Sequence, residues 1–215
     1  MVSTIANASA PRLRADALRN RERILVAARE SFCLHGVDAP LDEIARRAGV
    51  GNATLYRHFP DRKSLLLHVL LYVNQRIIDL VEKSLVEESD PFEALRGLVL
   101  SGVRERVGGL SPLLATEVDH EDPLLKASKR RMHEVTEQLI QRAHASGQLR
   151  RDVGPGDLMI AIVRLTLPLP GSACGGSDDL AMRHLEIFLD GLRTPARSEL
   201  PGPPRTLGDL KDEFC

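Results

Sequence analysis

Between residues 20 and 193 the apolar side chains recur three or four positions apart, and almost every such run is closed by a glycine or a proline. No segment of useful length alternates apolar with polar residues, and no internal repeat is visible. The spacing predicts helices over 20–35, 41–48, 52–59, 62–84, 91–107, 110–118, 124–146, 157–167 and 178–193. Gly36, Gly108-Gly109 and Gly147 read as stops, Pro91, Pro123 and Gly154-Pro155-Gly156 as starts, and Pro168 and Pro170 as terminators. The stretch from Gly171 to Ser177 reads as a flexible loop. The expected fold is all-α.

A chain of 215 residues with 43% hydrophobic residues can bury a core without a metal or a disulfide. With 2 Tyr, 5 Phe and no Trp, that core must be aliphatic. The longest apolar stretch, Leu65 to Val73, is broken by His68 and is too short to span a bilayer. Met1 to Arg14 lacks the basic and apolar regions of a secretory signal. Cys33, Cys174 and Cys215 are few, odd in number and far apart, which suits a reducing cytoplasm. The net charge of −1 hides an asymmetry: residues 1–70 hold 11 Lys+Arg against 7 Asp+Glu, and the rest hold 18 against 23. A basic end on an acidic body fits a protein that meets a polyanion with one part only, and charge alone leaves nucleic acid and membrane both open.

The segment Leu41 to Phe59 decides between them. It reads as two short helices about Gly49, with Ala45 small enough for close helix approach and Ile44, Val50 and Leu55 to lock the pair. That is the layout of a helix-turn-helix. Stepping along 52–59 at 100° per residue puts Leu55 and Phe59 within about 40° of each other on a buried side. Arg57 falls opposite, flanked by Ala53 and Thr54, with Asn52, Tyr56 and His58 at the borders. A helix read in the major groove needs base-reading groups at the centre of its exposed face and phosphate contacts at the edges. Arg57 offers a bidentate pair to guanine and Thr54 a hydroxyl or methyl, while Tyr56 and His58 are placed for phosphates. Arg62 and Lys63 open the next helix, where positive charge and unpaired N–H groups attract phosphate.

The run Gly49-Val50-Gly51-Asn52-Ala53-Thr54-Leu55-Tyr56-Arg57-His58-Phe59-Pro60-Asp61-Arg62 resembles the DNA-binding domain of TetR-like transcriptional regulators. The similarity reaches back through Ile44-Ala45-Arg46-Arg47-Ala48 to Ile24 and forward to about Leu70. The resemblance implies a homodimer with an N-terminal three-helix DNA-binding domain and a larger helical domain for ligand binding and dimerisation. On this sequence those become residues 20–66 and 67–194, between a mobile basic arm (1–19) and a Pro-rich tail (195–215). It further implies that Thr54, Tyr56, His58 and Arg62 touch phosphates and that Asn52, Ala53 and Arg57 face bases. Repression is the family's usual mode. One departure stands out: Ala39-Pro40-Leu41 lacks the Ser or Thr that often precedes the second helix and meets a phosphate. The C-terminal two-thirds resembles the family only in helix order and in Leu189-Asp190-Gly191-Leu192-Arg193, so ligand identity does not carry over.

Other readings are blander. Asp119-His120-Glu121-Asp122, with Glu117 nearby, reads as a charged loop rather than a metal site, because metal ligands must converge. Lys126, Lys129, Arg130 and Arg131 read as a solvated helix face. Cys33, beside Phe32, reads as a buried small hydrophobe, and Cys174 as an exposed thiol in a Gly-rich loop. None of G-x-x-x-x-G-K-[ST], G-x-S-x-G or H-E-x-x-H occurs, so neither an enzyme nor a cofactor site is expected. A regulator controlled by a protein or by redox is one alternative; a helical adaptor that binds only protein is another. A palindromic DNA operator, an unknown small hydrophobic ligand and a second copy of the chain are the expected partners. The dimer stripes are taken as Leu158, Ile162 and Leu165 with Leu185, Phe188, Leu189 and Leu192. The expected polar groups of the pocket are Asn74, Arg106, Glu117, Thr136 and Arg164.

Overall fold

The computed structural model describes residues 9–168 and 178–211. Among these it forms nine α-helices and no strand: α1 (Ser9–His35), α2 (Leu41–Ala48), α3 (Asn52–His58), α4 (Arg62–Glu87), α5 (Pro91–Arg104), α6 (Val107–Thr116), α7 (Pro123–Ala145), α8 (Pro155–Thr166) and α9 (Asp178–Leu192). Arg12 and Arg14 of the expected arm fall within α1, whereas residues 1–8, the loop with Cys174, and Cys215 lie outside the described residues.

Three helix starts share one device, an aspartate whose carboxylate accepts from backbone N–H groups that no earlier turn can satisfy. Asp61 takes Ser64 N at 2.7 Å, Asp90 takes Phe92 N at 2.8 Å, and Asp122 takes Leu124 N at 2.8 Å. Pro91, Pro123 and Pro155 occupy first turns, where their missing N–H costs nothing.

The first helix begins at Ser9 rather than Asn20, because Ala, Leu and Arg keep the segment helical without a breaker once Pro11 sits in the opening turn. The Gly108-Gly109 pair does not stop a helix. It lies inside α6, and the chain bends instead at Arg106, whose φ of 60° is left-handed. Packing explains the glycines: a Cβ on Gly108 would sit 2.3 Å from Leu167 N, and one on Gly109 2.3 Å from Cys33 Sγ. The pair thus lets α6 press against α1 and the end of α8.

The N-terminal helices and the body share one aliphatic core, in which Phe32, Phe59 and Phe92 are fully buried. The first helix packs on α2, α4 and α6, and α4 packs on α5 and α7. By length and hydropathy α4 could cross a membrane, yet Leu65, Leu66, Val69, Leu70, Val73, Ile77, Ile78 and Val81 are buried against other helices. It is the central helix of the fold. The Pro-rich tail is held to the body: Gly156 N donates to Arg205 O at 2.8 Å, Arg205 N to Asp157 Oδ2 at 3.1 Å, and Leu210 is buried. Cys33 is half-buried but not a free thiol. It is disulfide-bonded.

Candidate DNA-binding surface

The turn between α2 and α3 is set by Gly49. Its φ of 63° is the left-handed conformation that side chains resist, and its N–H returns to the carbonyls of Ala45 and Arg46. Val50 N adds a bond to Ala45 O at 3.0 Å. Beneath the turn Ile44, Ala45, Ala48, Leu55 and Phe59 are each no more than 3% exposed. Burying a side chain such as Leu55 is worth about 1.5–3 kcal/mol, enough to fix α3 against the domain.

With Leu55 and Phe59 turned inward, α3 exposes Asn52, Ala53, Tyr56 and Arg57, and leaves Thr54 and His58 half-buried. Asn52 Nδ2 donates to Asp42 Oδ1 at 2.7 Å. Arg57 makes no hydrogen bond or ion pair with a described residue. Burial first, then the charges of Arg21 and Arg57, holds the His58 imidazole below its usual pKa. Arg21 stacks over the Phe59 ring at 4.6 Å, and Arg23 Nη2 reaches Gly49 O at 3.4 Å. Nothing in the sequence marks either arginine; only the packing of α1 across α3 brings them to this surface.

Arg62 departs from expectation. Its Nη1 donates to Val37 O at 2.6 Å and also to Ala39 O, so the guanidinium braces the connection between α1 and α2. Those carbonyls belong to a short turn that lacks helical partners for them, and a long side chain at the start of α4 reaches them. Lys63 is exposed. No side chain caps α2, whose N-cap is Pro40, in keeping with the missing hydroxyl in the sequence.

The expected pocket residues each have their own surroundings in the structure. Arg106 is committed to ion pairs with Glu30 at 3.3 Å and with Asp178, and Arg164 is exposed. Asn74 Nδ2 donates to Ser128 Oγ at 3.0 Å, Thr136 is buried in α7, and Glu117 is half-buried near Thr116. Periodicity could not separate residues that face inward from those bridging neighbouring helices. The dimer stripes need correction for the same reason. Leu158, Ile162, Leu185, Leu189 and Leu192 are at most 5% exposed within one chain, and Leu165 and Phe188 pack beside them. Those five belong to the subunit core, whereas Leu165 and Phe188 are half-buried at its edge. The apolar residues left outside on this part of the fold are Leu167, Leu180 and Ile187.

In the acidic loop, Asp122 caps α7, Asp119 Oδ1 accepts from Glu121 N at 2.8 Å, and Glu121 pairs with Lys126. Its carboxylates therefore have protein partners. An open groove of about 520 Å³ lies elsewhere, lined by residues such as Arg150, Thr194 and Glu199.

The profile for bacterial regulatory proteins of the tetR family matches residues 24–69, and the profile of the SbtR-like transcriptional regulator C-terminal domain matches 90–194. The fold is similar to the TetR transcriptional regulator SCO0520 from Streptomyces coelicolor, at 31% identity and a TM-score of 0.62 over 82% of this chain and 99% of that one. The chain belongs to the TetR family. A TetR regulatory protein from Mycobacterium vanbaalenii is similar as well, at 34% identity and a TM-score of 0.61 over 85% of this chain and 99% of that one. A helix-turn-helix regulator of Staphylococcus aureus is 41% identical over 59 residues, which are 27% of this chain and 32% of that protein. The match thus spans about a third of that curated relative's length. TetR-family members are transcription factors rather than enzymes, and residues 24–69 form the helix-turn-helix DNA-binding domain of this one.

Proposed function

We propose that the protein is a cytoplasmic homodimeric repressor that holds a palindromic operator and is released from it by a small hydrophobic ligand. The observation that carries the DNA half is the exposed face of α3, where Arg57, Asn52, Ala53 and Tyr56 stand clear above a helix pinned by Leu55 and Phe59. Thr54, His58 and Lys63 border that face as phosphate contacts. A dimer would set two such helices in successive major grooves, with half-sites about 34–36 Å apart. Selection from randomised duplex DNA is the test. A two-fold symmetric site supports the proposal, whereas an asymmetric one, or binding that ignores salt, sinks it and favours a protein-binding adaptor.

Dimerisation is assigned to the outer face of α8 and α9, where Leu167, Leu180 and Ile187 are 42%, 44% and 58% exposed. The inducer is assigned to the aliphatic body between α4 and α8. With so few aromatic residues in the chain, its lining would suit an aliphatic ligand surface. Because α4 runs from the DNA-binding domain into that body, a ligand wedged against its C-terminal half would move both recognition helices. Release requires the ligand to prefer the non-DNA conformation, and coupling of about 1–3 kcal/mol weakens operator binding roughly 5- to 150-fold. Titrating hydrophobic metabolites against the protein–operator complex tests this half alone.

The Cys33 disulfide favours a second reading, control by redox state. Cys33 lies on α1 of the DNA-binding domain. Operator affinity measured with and without a dithiol reductant decides it; equal affinities would remove it.

A further inference from the structure

We infer that Asp42 is a specificity-determining residue: its carboxylate decides which edge of the Asn52 carboxamide is offered to a base. The inference rests on α3 being the DNA-reading helix. Asn52 Nδ2 donates to Asp42 Oδ1 at 2.7 Å, linking the first turn of α2 to the first residue of α3. A carboxylate only accepts hydrogen bonds, so the end of the amide that faces it must be the NH2; the reverse would set two acceptor oxygens against each other. Asn52 Oδ1 is therefore turned away from Asp42, as an acceptor. Both residues are exposed. Gly51, just before Asn52, carries no side chain to screen it, and a Cβ built there meets nothing within 4 Å. The pair also stands on a fixed base, since Ile44 and Ala45 of α2 and Leu55 of α3 are at most 1% exposed.

The consequence follows from the donor and acceptor code of the major groove. Adenine and cytosine present amino donors there, whereas guanine and thymine present carbonyl acceptors. An Asn52 held with Oδ1 outward accepts from adenine N6 or cytosine N4 and meets guanine O6 or thymine O4 as a mismatch. Without Asp42 the carboxamide can turn over and serve either kind of base. Asp42 is thus a positioning residue that reads no base itself. Arg57, with no hydrogen-bonding partner among the described residues, reads its own base independently.

The test compares the full chain with D42A, N52A and the double variant in selection from randomised duplex DNA, with melting curves to show that each folds. One position per half-site is expected to favour adenine or cytosine by about 2- to 10-fold in the unmodified protein, the discrimination a single hydrogen bond supplies. D42A should lose that bias at that position and keep every other preference. In the N52A background, D42A should change no preference at all. The inference is overturned if D42A retains the bias, or if it weakens all sequences alike, as a merely structural residue would. A failure of the unmodified protein to enrich any sequence would overturn the reading of α3 and this inference with it.

Discussion

Removing the Glu105 carboxylate is the most searching perturbation of the junction between the DNA-binding helices and the body. Glu105 caps the end of α5, and its side chain is 6% exposed. It accepts from Arg29 Nη1 of α1 at 2.5 Å and from Arg76 Nε of α4 at 2.7 Å. Breaking one partner of a buried pair costs about 3–5 kcal/mol, because the other charge stays buried and uncompensated. The two arginines do not weigh equally. The Arg76 side chain is 49% exposed and can return to water, so its share is that of a surface pair, at most about 1 kcal/mol. Arg29 is 13% exposed, its Nε is buried with no partner, and it would keep only Glu30 at 3.1 Å. Glu105→Gln keeps the shape and loses the charge, and should cost about 2–4 kcal/mol, most of it through Arg29. For a chain of this size that is a fall in Tm of roughly 5–15 °C. Urea unfolding followed by circular dichroism gives the free energy directly. The double variant Arg29→Met, Glu105→Gln should lose less than the sum of the two single changes, since the stranded charge is gone. A loss below about 0.5 kcal/mol for Glu105→Gln, or strict additivity, would refute the reasoning.

Arg57→Ala should relax base preference at one position per half-site, costing about 1–3 kcal/mol for the bidentate pair, whereas Arg62→Ala should lower stability by about 1.5–3 kcal/mol and weaken all sequences together. Identical behaviour in DNA selection and melting would void that division. Ile187→Glu should give monomers by sedimentation while leaving the fold intact, but Leu189→Glu should unfold the chain; a dimeric Ile187→Glu would move the interface elsewhere. The folded-state pKa of His58 is depressed, so the unfolded chain binds more protons just below the model-peptide value of about 6.5. Stability should therefore rise with pH through that window and fall on acidification, and His58→Gln should flatten this part of the profile.

The helix-turn-helix was legible because its constraints are local. A left-handed turn calls for Gly49, close approach calls for Ala45, and a wheel of seven residues separates Leu55 from Arg57. The body was legible as helices but not as surfaces. An apolar stripe on α8 or α9 shows which face avoids water, not whether the same chain or a second copy covers it. Leu185 and Leu189 were therefore placed in an interface when the subunit itself buries them. The Gly108-Gly109 pair failed similarly: sequence cannot distinguish a helix stop from a place where two backbones must touch.

Charge shows the same limit and bears directly on how the protein would hold DNA. The positive excess of residues 1–70 suggests a broad basic surface, but the structure commits several of these cations elsewhere. Arg29 is held by Glu105, Arg62 by two backbone carbonyls, Arg47 by Glu43 at 2.6 Å, and Arg19 by Asp16. Only cations that exchange counterions for phosphates contribute to the salt dependence of binding, about 0.9 of a unit in the logarithmic slope for each phosphate neutralised. A guanidinium that braces a turn or a helix junction contributes little to that slope, although it holds the reading helix in place. The steepness of the salt dependence should then follow the exposed phosphate-facing set around α3, with Lys63 in it, rather than the count of arginines in the sequence. Affinity that depends on few phosphates leaves more of the discrimination to the groups facing bases. In the proposed complex those are Arg57 and the Asn52 carboxamide that Asp42 orients.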